Sequence, residues 1–224
     1  PTAGAALRLA VLGGPTTTQL VWLIENFLAG HGLVADVWQG EYGLFRQSIL
    51  MPDPGLDAFK PEIVFLATSA RDVAEAASLA ASGEDVARRV RAEYEQWQSL
   101  WRAANARWGS QIIQNLFDIE PWGALGHYAR RAPGSRERFL GRLNDVMAEQ
   151  APGFVVLHDL AVLAQEAGAQ QWFDPRYHHE AKMPCGPECL VAYAHSVAAQ
   201  VAALKGRSRK VLVLDLDNTL WGGV

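Results

Sequence analysis

The sequence predicts an α/β protein built on a mainly parallel sheet with helices on both faces. Two observations carry that expectation. Short apolar runs alternate with helical patterns along nearly the whole chain, and strands joined through helices pair in parallel. The final run, Val211 to Leu214, is unbroken and aliphatic, as a strand buried on both faces is.

The elements follow in order. Leu7 to Leu12 read as a strand that enters Gly13-Gly14-Pro15 and Thr16-Thr17-Thr18. Thr16 and Gln19 have capping-box spacing, and Leu20 to Leu28 supply an apolar helix that Gly30 can end. Leu33 to Gln39 form a second strand, followed by a loop over Gly40 to Gln47 and a turn cluster at Met51-Pro52-Asp53-Pro54-Gly55. Glu62 to Ala67 make a third strand, with Thr68 to Asp72 at its carboxyl end. Ser82 and Asp85 can cap a long helix on which Val86, Val90, Tyr94, Trp97, Trp101, Ala104 and Trp108 recur every three or four residues. That stripe reads as core, with a substrate wall or a partner surface as the alternative.

Ile112 to Phe117 are a strand leading into Asp118 to Gly123, Ser135 opens a helix through Met147, and Phe154 to Leu157 are a further strand. A short helix spans Ala161 to Ala167, Trp172 to Met183 read as irregular, and Glu188 to Leu204 form the last helix of the main domain. Domain boundaries are expected at 1–204, with a basic linker at 205–209 and a separate strand-and-motif segment at 210–224.

Composition narrows the function classes. The chain has 224 residues, 50% hydrophobic and 20% charged, which describes a folded core. A formal net charge of −4 gives no reason to expect nucleic acid or an anionic membrane. No apolar run approaches a membrane span and no signal peptide is visible, so a soluble, cytoplasmic protein is expected. Cys185 and Cys189 lack the second pair that a zinc site needs. The chain begins without Met, which suggests excision from a longer polypeptide.

Two groups of residues carry candidate chemistry. Asp215 and Asp217 stand at the carboxyl end of the final strand in D-L-D-N-T-L-W-G-G-V, where two carboxylates can hold Mg²⁺ and one can attack phosphorus. The second group gathers at the shared strand edge of the main domain, where an open parallel sheet places its ligands. Its loops offer Thr17, Asn115 and the segment Asp174 to Cys185. Cys185 is a candidate acyl-carrying thiol, with His179 and Lys182 near enough in sequence to lower its pKa, and His178 is a candidate base. Thr17, Asn115, Arg176, His179 and Lys182 are the candidate substrate-binding residues.

The string from Asp215 to Val224 resembles the first motif of the haloacid dehalogenase (HAD) superfamily, and W-G-G-V resembles its FkbH-like branch. Trp172 to Pro184 resemble that branch less specifically. The resemblance implies that Asp215 is a nucleophile and Mg²⁺ ligand and that Asp217 is a metal ligand and acid/base. It also implies an SGNH-hydrolase-like three-layer domain ahead of the HAD strand. The later HAD motifs are not in this sequence, so Mg²⁺ is expected only with a complete HAD domain, and this chain alone is not expected to be a working phosphatase.

The implied activity belongs to polyketide biosynthesis. A glyceryl or lactyl unit from 1,3-bisphosphoglycerate is dephosphorylated and loaded on the phosphopantetheine of an acyl carrier protein beside neighbouring polyketide synthase domains. Two alternatives stand beside it: a non-catalytic docking domain that positions the carrier protein, and an SGNH-type esterase or acyltransferase. An SGNH triad needs a Ser after the first strand and a late Asp and His. Here only threonines follow that strand, and Asp174 and His178 are four apart rather than three. Convergence of Thr17, Asn115, His178 and Cys185 on one cleft would favour chemistry, and their dispersal would favour docking.

Overall fold

The computed structural model describes residues 6–208 except 76 and 122. Asp215, Asp217 and the expected strand and motif at 210–224 lie outside the described residues, as does Arg209 of the linker.

Five strands are described: β1 (Leu7–Gly13), β2 (Ala35–Gln39), β3 (Ile63–Ala67), β4 (Gln111–Leu116) and β5 (Val155–Asp159). They form one sheet in the order β2-β1-β3-β4-β5, every pairing parallel. The α/β expectation holds, and the two-residue side-chain period of the strands shows how the core divides. Leu7, Leu9 and Val11 of β1 with Ile63, Phe65 and Ala67 of β3 point to one face, and Ala10, Leu12, Val64 and Leu66 point to the other.

Nine α-helices are described: α1 (Thr18–Gly30), α2 (Phe45–Leu50), α3 (Pro54–Phe59), α4 (Gly83–Trp108), α5 (Arg136–Gln150), α6 (Leu160–Ala167), α7 (Ala169–Trp172), α8 (Pro175–Ala181) and α9 (Leu190–Leu204). Helices α1, α6 and α9 cover the first face. Helices α2 to α5 cover the second, making a three-layer sandwich. The aromatic stripe of α4 is core: Tyr94, Trp97 and Trp101 are buried, and Trp97 stacks on Phe45 with ring centroids 5.8 Å apart.

Several local expectations are corrected. The α1 helix starts at Thr18 with Thr17 at its N-cap, and no side chain caps it. Thr16 instead ties this loop to the end of α8, its N–H donating to the Lys182 carbonyl at 2.9 Å and its hydroxyl to the Ala181 carbonyl at 2.9 Å. The turn cluster at 51–55 opens a helix, α3, because the Asp53 side chain caps it from the N-cap and Pro54 follows in the first turn. The segment after Trp172 is also not irregular: Asp174 accepts from the Arg176 N–H and Pro175 opens α8.

Candidate binding cleft

The chain runs from β1 out to β2 and returns past β1 to β3, so the sheet's winding reverses between β1 and β3. Ligands of open parallel sheets bind outside the carboxyl ends of strands at such a point. A cleft of about 490 Å³ lies there, between the loops after β1, β3 and β4 and the segment around α8. Its wall includes Ser69, Arg71, Asp118, Arg136, His178 and Cys185.

Local hydrogen bonding fixes the two carboxyls of this region. Past β3, a single 3-10 turn over Ala70–Asp72 is closed by a capping box, in which Asp72 Oδ2 accepts from the Ser69 N–H at 2.8 Å. Gly14 packs directly on the Asp72 carboxyl, since a Cβ there would stand 1.8 Å from Oδ1. Past β4, Asn144 of α5 takes both backbone groups of Phe117: its Oδ1 accepts the Phe117 N–H at 2.9 Å and its Nδ2 donates to the carbonyl at 2.8 Å. Asp118 is thereby held at the base of the cleft, 5% exposed, and its Oδ2 accepts from the Trp172 indole N–H at 2.7 Å.

Burial pushes the Asp118 carboxyl above the ordinary carboxylate range, opposed by the Trp172 indole, the Ala70 and Asp118 amides and the Arg71 charge. Burial also raises Asp72, opposed by Ser69 and Arg46, with the Asp118 charge adding to the rise. Among the described residues neither carboxyl has a salt-bridge partner. His178, half-buried on the cleft wall, is held below its ordinary value by burial and then by the Arg71 charge.

The expected site residues separate. His178 and Cys185 line the cleft, and Thr17 and Asn115 do not. Thr17 is buried and accepts from Gln39 Nε2 at 3.2 Å. Arg176 is exposed and paired with Asp174 at 2.6 Å, and His179 and Lys182 are exposed outside the cleft wall. Cys185 is corrected in character: burial raises its thiol far above the ordinary value, with Cys189 and Asp118 adding to the rise, so no thiolate forms near neutral pH. His179 and Lys182 do not lower it.

Asn115 belongs to a polar cluster inside the fold. Its Nδ2 donates to the Thr68 carbonyl at 2.9 Å and to the Tyr193 hydroxyl at 2.6 Å. Its Oδ1 faces His158 Nδ1 at 2.9 Å, and His158 Nε2 faces Ser196 Oγ at 2.9 Å. The amide is oriented by the Thr68 carbonyl, so Nδ1 carries the imidazole proton and Nε2 accepts from the serine. Burial lowers the His158 pKa to about 4, which keeps the ring neutral.

This Ser-His-Asn order imitates a hydrolytic triad, but Ser196 lies in the middle of α9, where backbone N–H groups are spent in the helix ladder. No oxyanion donors are left beside it, and Ser196 lines none of the described pockets. The cluster is structural.

Asp118, Arg71 and Arg136 are cleft residues that reading the sequence residue by residue does not single out. Asp118 is the first residue after the strand read as Ile112 to Phe117, which is a signal; nothing local marks the arginines. Among the described residues no group of three or more His, Cys, Asp or Glu side chains assembles for a metal; Asp215 and Asp217, the expected Mg²⁺ ligands, lie outside the described residues. No helix among the described residues is long and apolar enough to cross a membrane.

The fold is similar to solved structures. The N-terminal part of the protein BF1531 from Bacteroides fragilis, described as containing a phosphatase domain and complexed with Mg, matches 98% of this chain at 21% identity with a TM-score of 0.79. This chain spans 57% of that one. BT4096, a gut microbial diltiazem-metabolizing enzyme, matches 87% of this chain and 46% of its own at 10% identity, TM-score 0.50. A GDSL-like lipase from Bacteroides thetaiotaomicron matches 89% of this chain and 88% of its own at 16% identity, TM-score 0.44. No curated protein matches the sequence. The model of the FkbH N-terminal domain matches residues 8–202, and the chain belongs to that family.

Proposed function

We propose that this domain holds the three-carbon acyl donor of an FkbH-like enzyme, and that the bond-making and bond-breaking groups lie mainly outside it. The parent protein in this reading is a phosphatase and glyceryl or lactyl transferase. It takes its unit from 1,3-bisphosphoglycerate and delivers it to the phosphopantetheine thiol of an acyl carrier protein among polyketide synthase domains. Family membership and the Asp215-Asp217 motif support that context.

The observation that carries the domain's role is the cleft itself. It places the Arg71 and Arg136 guanidiniums on one wall with a buried carboxyl, and its thiol, Cys185, is kept protonated. Guanidiniums are suited to phosphate and carboxylate oxygens, and a thiol kept protonated is a poor attacking group. The dispersal of Thr17 and Asn115 argues against SGNH-type hydrolysis and by itself favours docking; the guanidiniums that share the cleft wall with His178 and Cys185 are what support a small anionic ligand there.

The test is mass spectrometry of a carrier protein incubated with 1,3-bisphosphoglycerate and the parent protein. Loading is expected with the parent, reduced at least tenfold in Arg71→Ala by loss of a charge-assisted contact of about 1.5–3 kcal/mol. Cys185→Ala is expected to keep most of the loading. No loading by the parent overturns the reading, and abolished loading in a folded Cys185→Ala variant returns the chemistry to this domain.

A further inference from the structure

Asp118 stands apart from the other carboxyls among the described residues. It is nearly fully buried, yet it lines an open cleft. A carboxylate removed from water without a cation partner is unfavourable unless donors surround it. The protein supplies the Trp172 indole at 2.7 Å and backbone amides nearby. Two carboxylate oxygens offer about four acceptor positions, so capacity remains on the cleft side. Glu93 makes the contrast. Also buried, it accepts from the Trp97 indole at 2.7 Å and the Glu75 amide at 2.7 Å, has Arg46 at 3.9 Å, and lines none of the described pockets.

On the cleft wall near Asp118, Arg71 carries a guanidinium without an ion-pair partner among the described residues. Arg136, the other cationic wall residue, spends one nitrogen on the Ala70 carbonyl. A ligand that satisfies both features carries an anionic group for the guanidinium and a hydrogen-bond donor for the carboxylate. We propose that Asp118 is the specificity residue of the cleft, accepting a hydrogen bond from the α-hydroxyl of a small anionic hydroxy acid whose anionic end meets Arg71. This rests on the reading of the cleft as the acyl-donor site and adds which atom of the donor is read. Glyceryl and lactyl units share the α-hydroxyl, so Asp118 selects for both and against an acyl unit lacking it. Trp172 is a positioning residue, fixing one carboxylate oxygen so that the other faces the ligand.

The experiment is calorimetric titration of the full chain with 3-phosphoglycerate and with 3-phosphooxypropanoate, the same molecule without the hydroxyl. The parental chain is expected to prefer the hydroxylated ligand roughly tenfold or more. Asp118→Asn keeps an acceptor for Trp172 but loses the charge, and is expected to erase most of that preference by weakening 3-phosphoglycerate alone. Trp172→Phe reduces the preference in the same sense, and Arg71→Ala weakens both ligands together. Thermal melts of each variant separate loss of binding from loss of fold. Equal affinity of the parental chain for the two ligands, or an unchanged preference in a folded Asp118→Asn variant, overturns the role of Asp118 alone. Binding of neither ligand by the folded parental chain overturns the acyl-donor reading together with it.

Discussion

Two polar clusters lie near the carboxyl ends of the strands, and they differ in who completes their hydrogen bonds. In the Ser196-His158-Asn115-Tyr193 cluster the side chains partner one another: serine to imidazole, imidazole to amide, amide to Thr68 and Tyr193. At the cleft, Asp118 is desolvated without a cation partner and opens on a cavity of about 490 Å³. The first cluster has the atom order of a catalytic triad and lines none of the described pockets; the second has no familiar triad and room for a ligand. Function is better located by burial left uncompensated beside an opening than by a familiar sequence of side chains.

The largest effect that can break this comparison is Asn115→Ala. It strands the Thr68 carbonyl, the His158 N–H and the Tyr193 hydroxyl in the interior, and is expected to cost about 3 kcal/mol or more in urea unfolding. A loss below about 1 kcal/mol would mean the cluster is not a closed structural unit. A similar loss is expected from pH. The folded His158 resists protonation down to about pH 4, whereas the unfolded imidazole takes its proton near 6.5. Its contribution is therefore full above 6.5 and lost as pH falls toward 4, amounting to roughly 3 kcal/mol.

Asp72 and Asp118 act in the opposite sense, because their raised folded values make them bind protons more readily in the fold, so they offset part of that loss as pH falls. Unfolding measured from pH 7 to 4 should flatten in His158→Gln relative to its own value at pH 7. An unchanged slope would place the titration elsewhere.

Legibility in the sequence follows the same division. The sheet was readable because each strand is an apolar run bounded by turn residues, and both faces of a parallel sheet are covered. The aromatic stripe of α4 was readable as core from its spacing. Asn115 was not readable as interior, since a strand's phase at its last residues depends on which helix crosses behind it; here α9 brings Tyr193 over it. Helix α8 is hard to read from sequence because its capping signals, Asp174 and Pro175, open only a seven-residue segment. The pKa of Cys185 is not legible in the sequence, because neighbours such as Lys182 face solvent while burial acts on the thiol.

A smaller effect sharpens the cleft side of the comparison. Gly14→Ala places a Cβ 1.8 Å from Asp72 Oδ1, so the carboxyl or the loop must move. The variant should lose about 1–3 kcal/mol of stability in thermal melts. Full stability would show that the 3-10 turn yields freely. Smallest of all, Arg176→Ala removes an exposed pair with Asp174 and should leave the thermal melting midpoint essentially unchanged. A clearly lowered midpoint would give this pair a role beyond the α8 surface.

The central claim is that the cleft binds and the Ser196 cluster does not. Calorimetric titration of 3-phosphoglycerate into the full chain, its Ser196→Ala variant and its Arg71→Ala variant tests it most directly. The account predicts that Ser196→Ala binds like the parental chain while Arg71→Ala loses at least about tenfold in affinity. Parental affinity in Arg71→Ala together with abolished binding in a folded Ser196→Ala variant would contradict it.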